Sequence, residues 1–258
     1  MLPRDRIAAA ICAARDSGRP ALVAFLTAGF PQRERFIETL AAVASQADVV
    51  EIGVPFTDPM ADGMTIQRSS RVALEQGVTL EWILGELRAS PPAVSRIPLL
   101  LMSYLNPLLA YGLERLPRDA AEARVCGFIV PDLPYEESDE LRAALDGHGL
   151  ALVQMVTPVT PAKRLEMLCG ASQGFIYAVT MTGTTGRSVA VPDEVLDYME
   201  RVRSVSRIPV CAGFGIRDRE QVARMAPHVD GVIVGSALVE VLEKGGDPAR
   251  FLATLRPE

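Results

Sequence analysis

Histidine is nearly absent from this sequence, with His148 and His228 alone in 258 residues, and its four cysteines, Cys12, Cys126, Cys169 and Cys211, lie far apart without a CxxC pair. Structural zinc sites draw on those two residue types at short spacing, so no metal site is expected. Unpaired thiols in apolar segments suit core packing in a reducing compartment. Runs of basic charge are missing too: the formal net charge is −6 and the arginines are scattered along helical segments. Nucleic acid and anionic membrane are therefore not expected as partners, and any anionic ligand must be held locally. The first residues, MLPRDRIAAAICAARDSG, have helical periodicity broken by charges, so they read as neither a secretory h-region nor a membrane span. A cytoplasmic protein is expected. No Pro-, Gly- or Ser-rich linker divides the chain, and residues 1–258 read as a single domain.

What is present is an alternation. Short apolar runs recur about every 25 to 30 residues, each followed by a longer segment with helical spacing, the pattern of repeated βα units. The strand candidates are ALVAFLTAG (21–29), DVVEIGV (48–54), PLLLMSY (98–104), GFIVPDL (127–133), LALVQMVTP (150–158), GFIYAVTM (174–181), IPVCAGFGI (208–216) and DGVIVGSA (230–237). They are apolar on both faces, as parallel strands covered by helices must be. Helical stretches such as QRERFIETLAAVASQ, EESDELRAALDGHG and DREQVARMAP lie between them, and RDRIAAAICAARDSG precedes the first strand as an extra helix. An open doubly wound sheet is the rival; eight consecutive units favour closure into an α/β fold of the (β/α)8 TIM-barrel type with an extra N-terminal helix.

Chemistry-bearing residues cluster after the second strand, in VEIGVPFTDPMADGMTIQ. Glu51 interrupts Val49, Val50, Ile52 and Val54, so it is expected to point into the barrel mouth with much of its carboxyl out of water. Desolvation disfavours the ionised form and tunes such a group to exchange protons near neutrality. An ion pair with Arg or Lys is the plainer alternative. Asp58 in TDP and Asp62 in ADG stand on an unusually long connection. Both have turn readings, and Asp62 beside Gly63 has a helix-capping one as well.

Gly-bearing turns follow strands six, seven and eight: TGTTGRS (182–188), AGFGI (212–216) and VGSAL (234–238). Backbone N–H groups of the last loops and a helix N-terminus commonly hold phosphate in barrels. Gly186, Gly215, Gly235 and Ser236 are placed to supply them, although each glycine singly is also an ordinary turn residue. The sixth loop, from Thr182 to about Val191, suits a lid.

Taken together, LTAGFP (26–31), VEIGVPFTDPMADGMTIQ (50–67), LMSYLNPLLAYG (101–112), GFIVPDLPYEES (127–138), TGTTG (182–186), AGFGI (212–216) and VGSALV (234–239) resemble the tryptophan synthase α-subunit family over essentially the whole chain. The resemblance implies cleavage of indole-3-glycerol phosphate to indole and glyceraldehyde 3-phosphate, with Glu51 and Asp62 as catalytic carboxylates. It further implies Phe25 as a contact for indole, Tyr177 as the active-site tyrosine, Thr185 as a lid residue meeting Asp62 on closure, and Gly186, Gly215, Gly235 and Ser236 as the phosphate site. No cofactor is implied in this chain; pyridoxal phosphate is expected in a partner β subunit, within an α2β2 heterotetramer that Asp58 faces. A stand-alone indole-releasing lyase and a catalytically weak regulatory subunit are the alternatives. Three positions depart from the commonest pattern: Met64 where Pro is usual, which is expected to loosen the loop carrying Asp62, Met181 before the sixth loop, and Arg217 after AGFGI.

Overall fold

Eight short strands, each drawn from one of the apolar runs, pair in parallel and in sequence order until the last closes on the first. The structure is a computed structural model, and it describes residues 1–180, 191–213 and 215–256. In chain order the elements are α1 (Pro3–Asp16), β1 (Ala21–Thr27), α2 (Phe36–Ala44), β2 (Val49–Gly53), α3 (Met64–Glu75), α4 (Leu80–Ala89), β3 (Leu99–Met102), α5 (Leu105–Tyr111), α6 (Leu116–Glu122) and β4 (Val125–Ile129). They continue as α7 (Asp139–Asp146), β5 (Ala151–Val156), α8 (Ala162–Ala171), β6 (Ile176–Val179), α9 (Asp193–Val205), β7 (Val210–Gly213), α10 (Arg219–Met225), β8 (Gly231–Val234), α11 (Ser236–Glu243) and α12 (Pro248–Leu255). This is a (β/α)8 barrel. Nearly every strand residue is buried, because the interior is filled by side chains and the outer face by helices.

The ladders are shorter than the apolar runs: among the described residues of the run 208–216, Val210–Gly213 form the strand. β4 begins at Val125, two residues before the run read as a strand, because Arg124 adopts φ 62° and turns the chain out of α6 directly into the ladder. Helices also double between β2 and β3, between β3 and β4 and after β8, where the sequence reading named one extra helix, at the N-terminus. Two of these breaks have a local cause. Thr79 accepts a hydrogen bond from the Trp82 N–H at 3.2 Å and Asp247 one from the Arg250 N–H at 3.1 Å, each starting a new helix.

The extra helix α1 has a specific place. It meets residues that immediately precede strands: Arg6 donates to the Arg96 carbonyl before β3, Leu2 lies against Gly149 before β5, Ile7 against Gly174 before β6, and Arg15 pairs with Asp230 before β8. It therefore closes the N-terminal end of the barrel, with Ile7, Ile11 and Ala14 buried beneath it. Arg19 ties β1 to β2 at the same end through a two-pronged pair with Asp48, at 2.6 and 2.7 Å. The open end is the C-terminal one. Cys126, Cys169 and Cys211 are buried packing residues, and among the described residues no helix is long and apolar enough to cross a membrane.

The Arg124 guanidinium gathers the carbonyls of Leu87, Arg88 and Ser90 at the end of α4, at 3.1, 3.2 and 2.8 Å. Replacing Arg124 by Ala strands these acceptors and is expected to lower unfolding free energy by roughly 1–3 kcal/mol. Urea denaturation monitored by circular dichroism measures it; a loss below about 0.5 kcal/mol contradicts the capping role.

Candidate active site

Glu51 is the third residue of β2, in register with Phe25 of β1 on one side and Leu100 of β3 on the other. Its exposure is 0% and neither carboxyl oxygen accepts a hydrogen bond from any described residue. Among the described residues no Arg or Lys pairs with it, against the ion-pair alternative. Its charge is felt by the Tyr177 phenol on β6 and the Cys211 thiol on β7, strands that face β2 across the barrel, so the carboxyl lies in the barrel interior. Burial without a compensating donor raises its pKa from 4.5 to about 8. At neutral pH it is mainly the protonated acid.

Asp62 occupies a different environment. It precedes Gly63, the N-cap of α3, and its carboxyl takes no part in capping that helix. Instead its Oδ2 accepts from the Tyr104 hydroxyl at 3.1 Å, while the same hydroxyl accepts from the Ala61 N–H at 2.9 Å. Burial pushes the Asp62 pKa up to about 6, and the Tyr104 bond holds it below what burial alone would give. Tyr104 was not singled out in the sequence. The signal lay in SYLNP, an aromatic residue just past the C-terminal end of a strand, where barrels place functional groups.

The loop from Pro55 to Gly63 is held at several points. Phe56 stacks on Tyr104 with ring centroids 5.2 Å apart, and Gln67 of α3 donates to the Asp62 carbonyl at 2.8 Å. Turn bonds run from the Met60 N–H to the Asp58 carbonyl and from the Asp62 N–H to the Pro59 carbonyl. Asp58 enters that turn through its backbone carbonyl, while its exposed carboxylate accepts from the Thr57 hydroxyl at 2.6 Å instead of from a backbone N–H. Met64 is the first residue of α3, a position that Pro favours for its fixed φ; here the helix starts without it and Tyr104 and Gln67 hold the loop.

Asp62 and Phe25 line one pocket together with Tyr104, Met102, Ile66 and Ser70. Tyr177 is 4% exposed, and burial, then Glu51, then Asp62 hold its phenol well above the ordinary tyrosine pKa. Its ring passes over Gly213, where a Cβ would come within 2.4 Å of Cε1; only glycine leaves that space. Phe25 and Asp62 thus share a pocket whose lining includes neither Glu51 nor Tyr177; Glu51 adjoins Phe25 in register, and the charges of both carboxylates reach the Tyr177 phenol.

Of the rim residues, Gly215 follows β7 with φ +88°, a conformation suited to glycine, and is exposed. Gly235 is the N-cap of α11 and Ser236 its first residue, so the first amides of that helix are free of side-chain caps. A Cβ at Gly235 would lie 3.6 Å from Phe25, which sets this helix end beside the pocket. Thr185 and Gly186, with Met181 and most of the sixth loop, lie outside the described residues.

The sequence pattern of the family described as "Tryptophan synthase alpha chain" matches residues 11–255. A relative of that name from Solidesulfovibrio magneticus is 46% identical over 241 residues, 93% of this chain and 94% of the relative. Another from Bacillus mycoides is 44% identical over 234 residues, 90% of each chain. Among solved structures, tryptophan synthase from M. tuberculosis superposes with a TM-score of 0.87 at 34% identity, covering 97% of both chains. Tryptophan synthase subunit alpha from Legionella pneumophila does so with 0.86 at 32% identity, covering 97% of this chain and 95% of that one.

A buried acid with a raised pKa makes stability depend on pH. Between pH 4.5 and about 8 the folded state keeps the Glu51 proton that the unfolded chain releases, so stability falls as pH rises through that window. Asp62, raised from 3.8 to about 6, adds a loss of the same sign at lower pH. Glu51→Gln removes the first effect and leaves the second. At pH 8.5 the variant is expected to be more stable than the parent by on the order of 3 kcal/mol, and nearly equal to it at pH 4.5. Urea midpoints at the two pH values test this; a gap that does not widen with pH contradicts the buried-acid assignment.

Proposed function

This chain belongs to the tryptophan synthase alpha chain family, and from that premise we propose that Glu51 and Asp62 are its two catalytic carboxylates. The activity is that of a lyase in L-tryptophan biosynthesis, cleaving indole-3-glycerol phosphate to indole and glyceraldehyde 3-phosphate. What carries the assignment is the pair of environments: one carboxyl sealed without a donor, the other half-buried and hydrogen-bonded to Tyr104.

The reaction needs a proton delivered to indole C3, which turns the ring nitrogen into an electron sink. The bond from C3 to the glycerol carbon then breaks, its electron pair returns to the ring, and the hydroxyl on that carbon loses its proton as the aldehyde forms. Glu51, protonated near neutrality, gives the first proton and as carboxylate receives the second, which leaves it as it began. Asp62, ionised above pH 6, accepts the indole N–H and stabilises the positive charge growing there. Two environments give two roles. Phe25 packs on the indole ring, and Tyr177 presents a phenol that burial and the charges of both carboxylates keep protonated. The amides of Gly215, Gly235 and Ser236 receive the phosphate, with Gly186 from the sixth loop. Thr185, on that loop, meets Asp62 when the lid closes.

The same reading gives one cytoplasmic domain over residues 1–258 that needs no cofactor of its own. It works in an α2β2 heterotetramer whose β subunit carries pyridoxal phosphate, and the exposed Asp58 at the mouth faces that partner.

With Asp62 required ionised and Glu51 required protonated, kcat/KM for indole-3-glycerol phosphate should be bell-shaped in pH, with limbs near about 6 and about 8. Glu51→Gln should lower kcat by about 10³-fold or more while retaining affinity for glycerol 3-phosphate. Near-normal turnover in that variant means that another group moves the proton. Adding purified β subunit is expected to raise the turnover of this chain at least about tenfold, a coupling of ordinary size. Equal rates with and without it would make the protein a stand-alone lyase.

A further inference from the structure

One carboxylate, Glu240 of α11, joins three elements of the mouth. Arg217, two residues after Gly215, donates from Nη1 to Glu240 Oε1 at 3.3 Å and pairs through Nη2 with Oε2. The Thr65 hydroxyl, in the first turn of α3 and three residues after Asp62, lies 3.5 Å from the same Oε1. The backbone N–H of Arg217 donates to Gln221 of α10 at 2.7 Å, so the guanidinium springs from an anchored point. One turn along α11, Glu243 receives Arg68 of α3 at 2.6 and 2.7 Å, which adds a parallel tie between the same two helices. The side chains of Arg217 and Glu240 are 24% and 25% exposed, against 46% and 35% for Arg68 and Glu243, so the first pair is the less screened by solvent and salt.

We propose that Arg217 and Glu240 form a strap that fixes the spacing between the phosphate rim and Asp62, making both positioning residues for indole-3-glycerol phosphate. The proposal rests on the reading of Gly215, Gly235 and Ser236 as the phosphate site. Indole and phosphate are opposite ends of one substrate, held by different loops; the loops must keep a separation that matches the ligand, and small errors in such a separation are expensive in binding and alignment. Glu240 sits one helical turn after Ser236, bonds the loop of Gly215 through Arg217, and touches the helix that begins beside Asp62. A shift of either side is transmitted to the other through a two-pronged charged contact, which resists both stretching and rotation.

The test is steady-state kinetics of the full chain with indole-3-glycerol phosphate, together with inhibition by glycerol 3-phosphate, which carries the phosphate end alone. Glu240→Gln and Arg217→Met should each raise KM and the glycerol 3-phosphate inhibition constant about tenfold, the equivalent of one hydrogen bond, with kcat within about twofold of the parent. The double variant should be no worse than either single one, since both remove the same contact. The exchange Arg217→Glu with Glu240→Arg should restore KM, because the Thr65 hydroxyl accepts as readily as it donates. A general structural defect would not be rescued by exchanging the charges. If Arg217→Met weakens binding while Glu240→Gln does not, Arg217 touches phosphate directly and the strap is refuted; unchanged inhibition in both single variants refutes it as well. Gly235→Val tests the rim itself. Normal glycerol 3-phosphate binding there removes the phosphate reading and the strap with it, whereas weak binding there with parental behaviour in Glu240→Gln removes the strap alone.

Discussion

Keeping the Glu51 carboxyl away from every hydrogen-bond donor among the described residues requires walls on all sides, and a closed barrel supplies them. An open sheet would leave the same side chain at a crevice, where water would solvate it and return its pKa toward the ordinary carboxylate value. Closure depends in turn on β1 meeting β8 in parallel register, on the helices that cover the outer faces, and on α1 beneath the N-terminal ends. The ion pairs of Arg19 with Asp48 and of Arg15 with Asp230 lie at that lower end, before the strands begin. The division matches that of barrels generally, with stability at one face and function at the other.

Asp62 obeys a different constraint. It comes from a connection between strand and helix, not from a strand, and what fixes it is Tyr104, a residue delivered by the end of β3. The phenol both donates to the carboxylate and accepts from the Ala61 amide, so one hydroxyl holds the loop and partly offsets the rise in pKa that burial causes. Burial raises both carboxylates, and the one with a donor is raised less than the one without, to about 6 against about 8.

Much of this was legible in the sequence because it was written in apolar periodicity and in single charges that break it. The eight runs and the helix before them located the barrel, and Glu51 stood out because it interrupted valines and an isoleucine. Boundaries were less legible: β4 starts at Val125 because of a backbone angle at Arg124, which no hydrophobic pattern encodes. The turn reading of Asp58 and the capping reading of Asp62 were indistinguishable in sequence, since both residues adjoin Pro or Gly. Only the three-dimensional position of Tyr104 separates them. Tyr104 itself was hidden for the same reason, being forty-two residues away in sequence and in contact only through the fold. The carboxylate of Glu240 carried no sequence signal at all, as a Glu on a helix face usually faces water.

The helix α1 has one more consequence. With the lower end of the barrel covered by Ile7 and Ile11 and the interior filled by strand side chains, the described residues leave no passage down the barrel axis. Along that axis, entry and exit are both at the mouth.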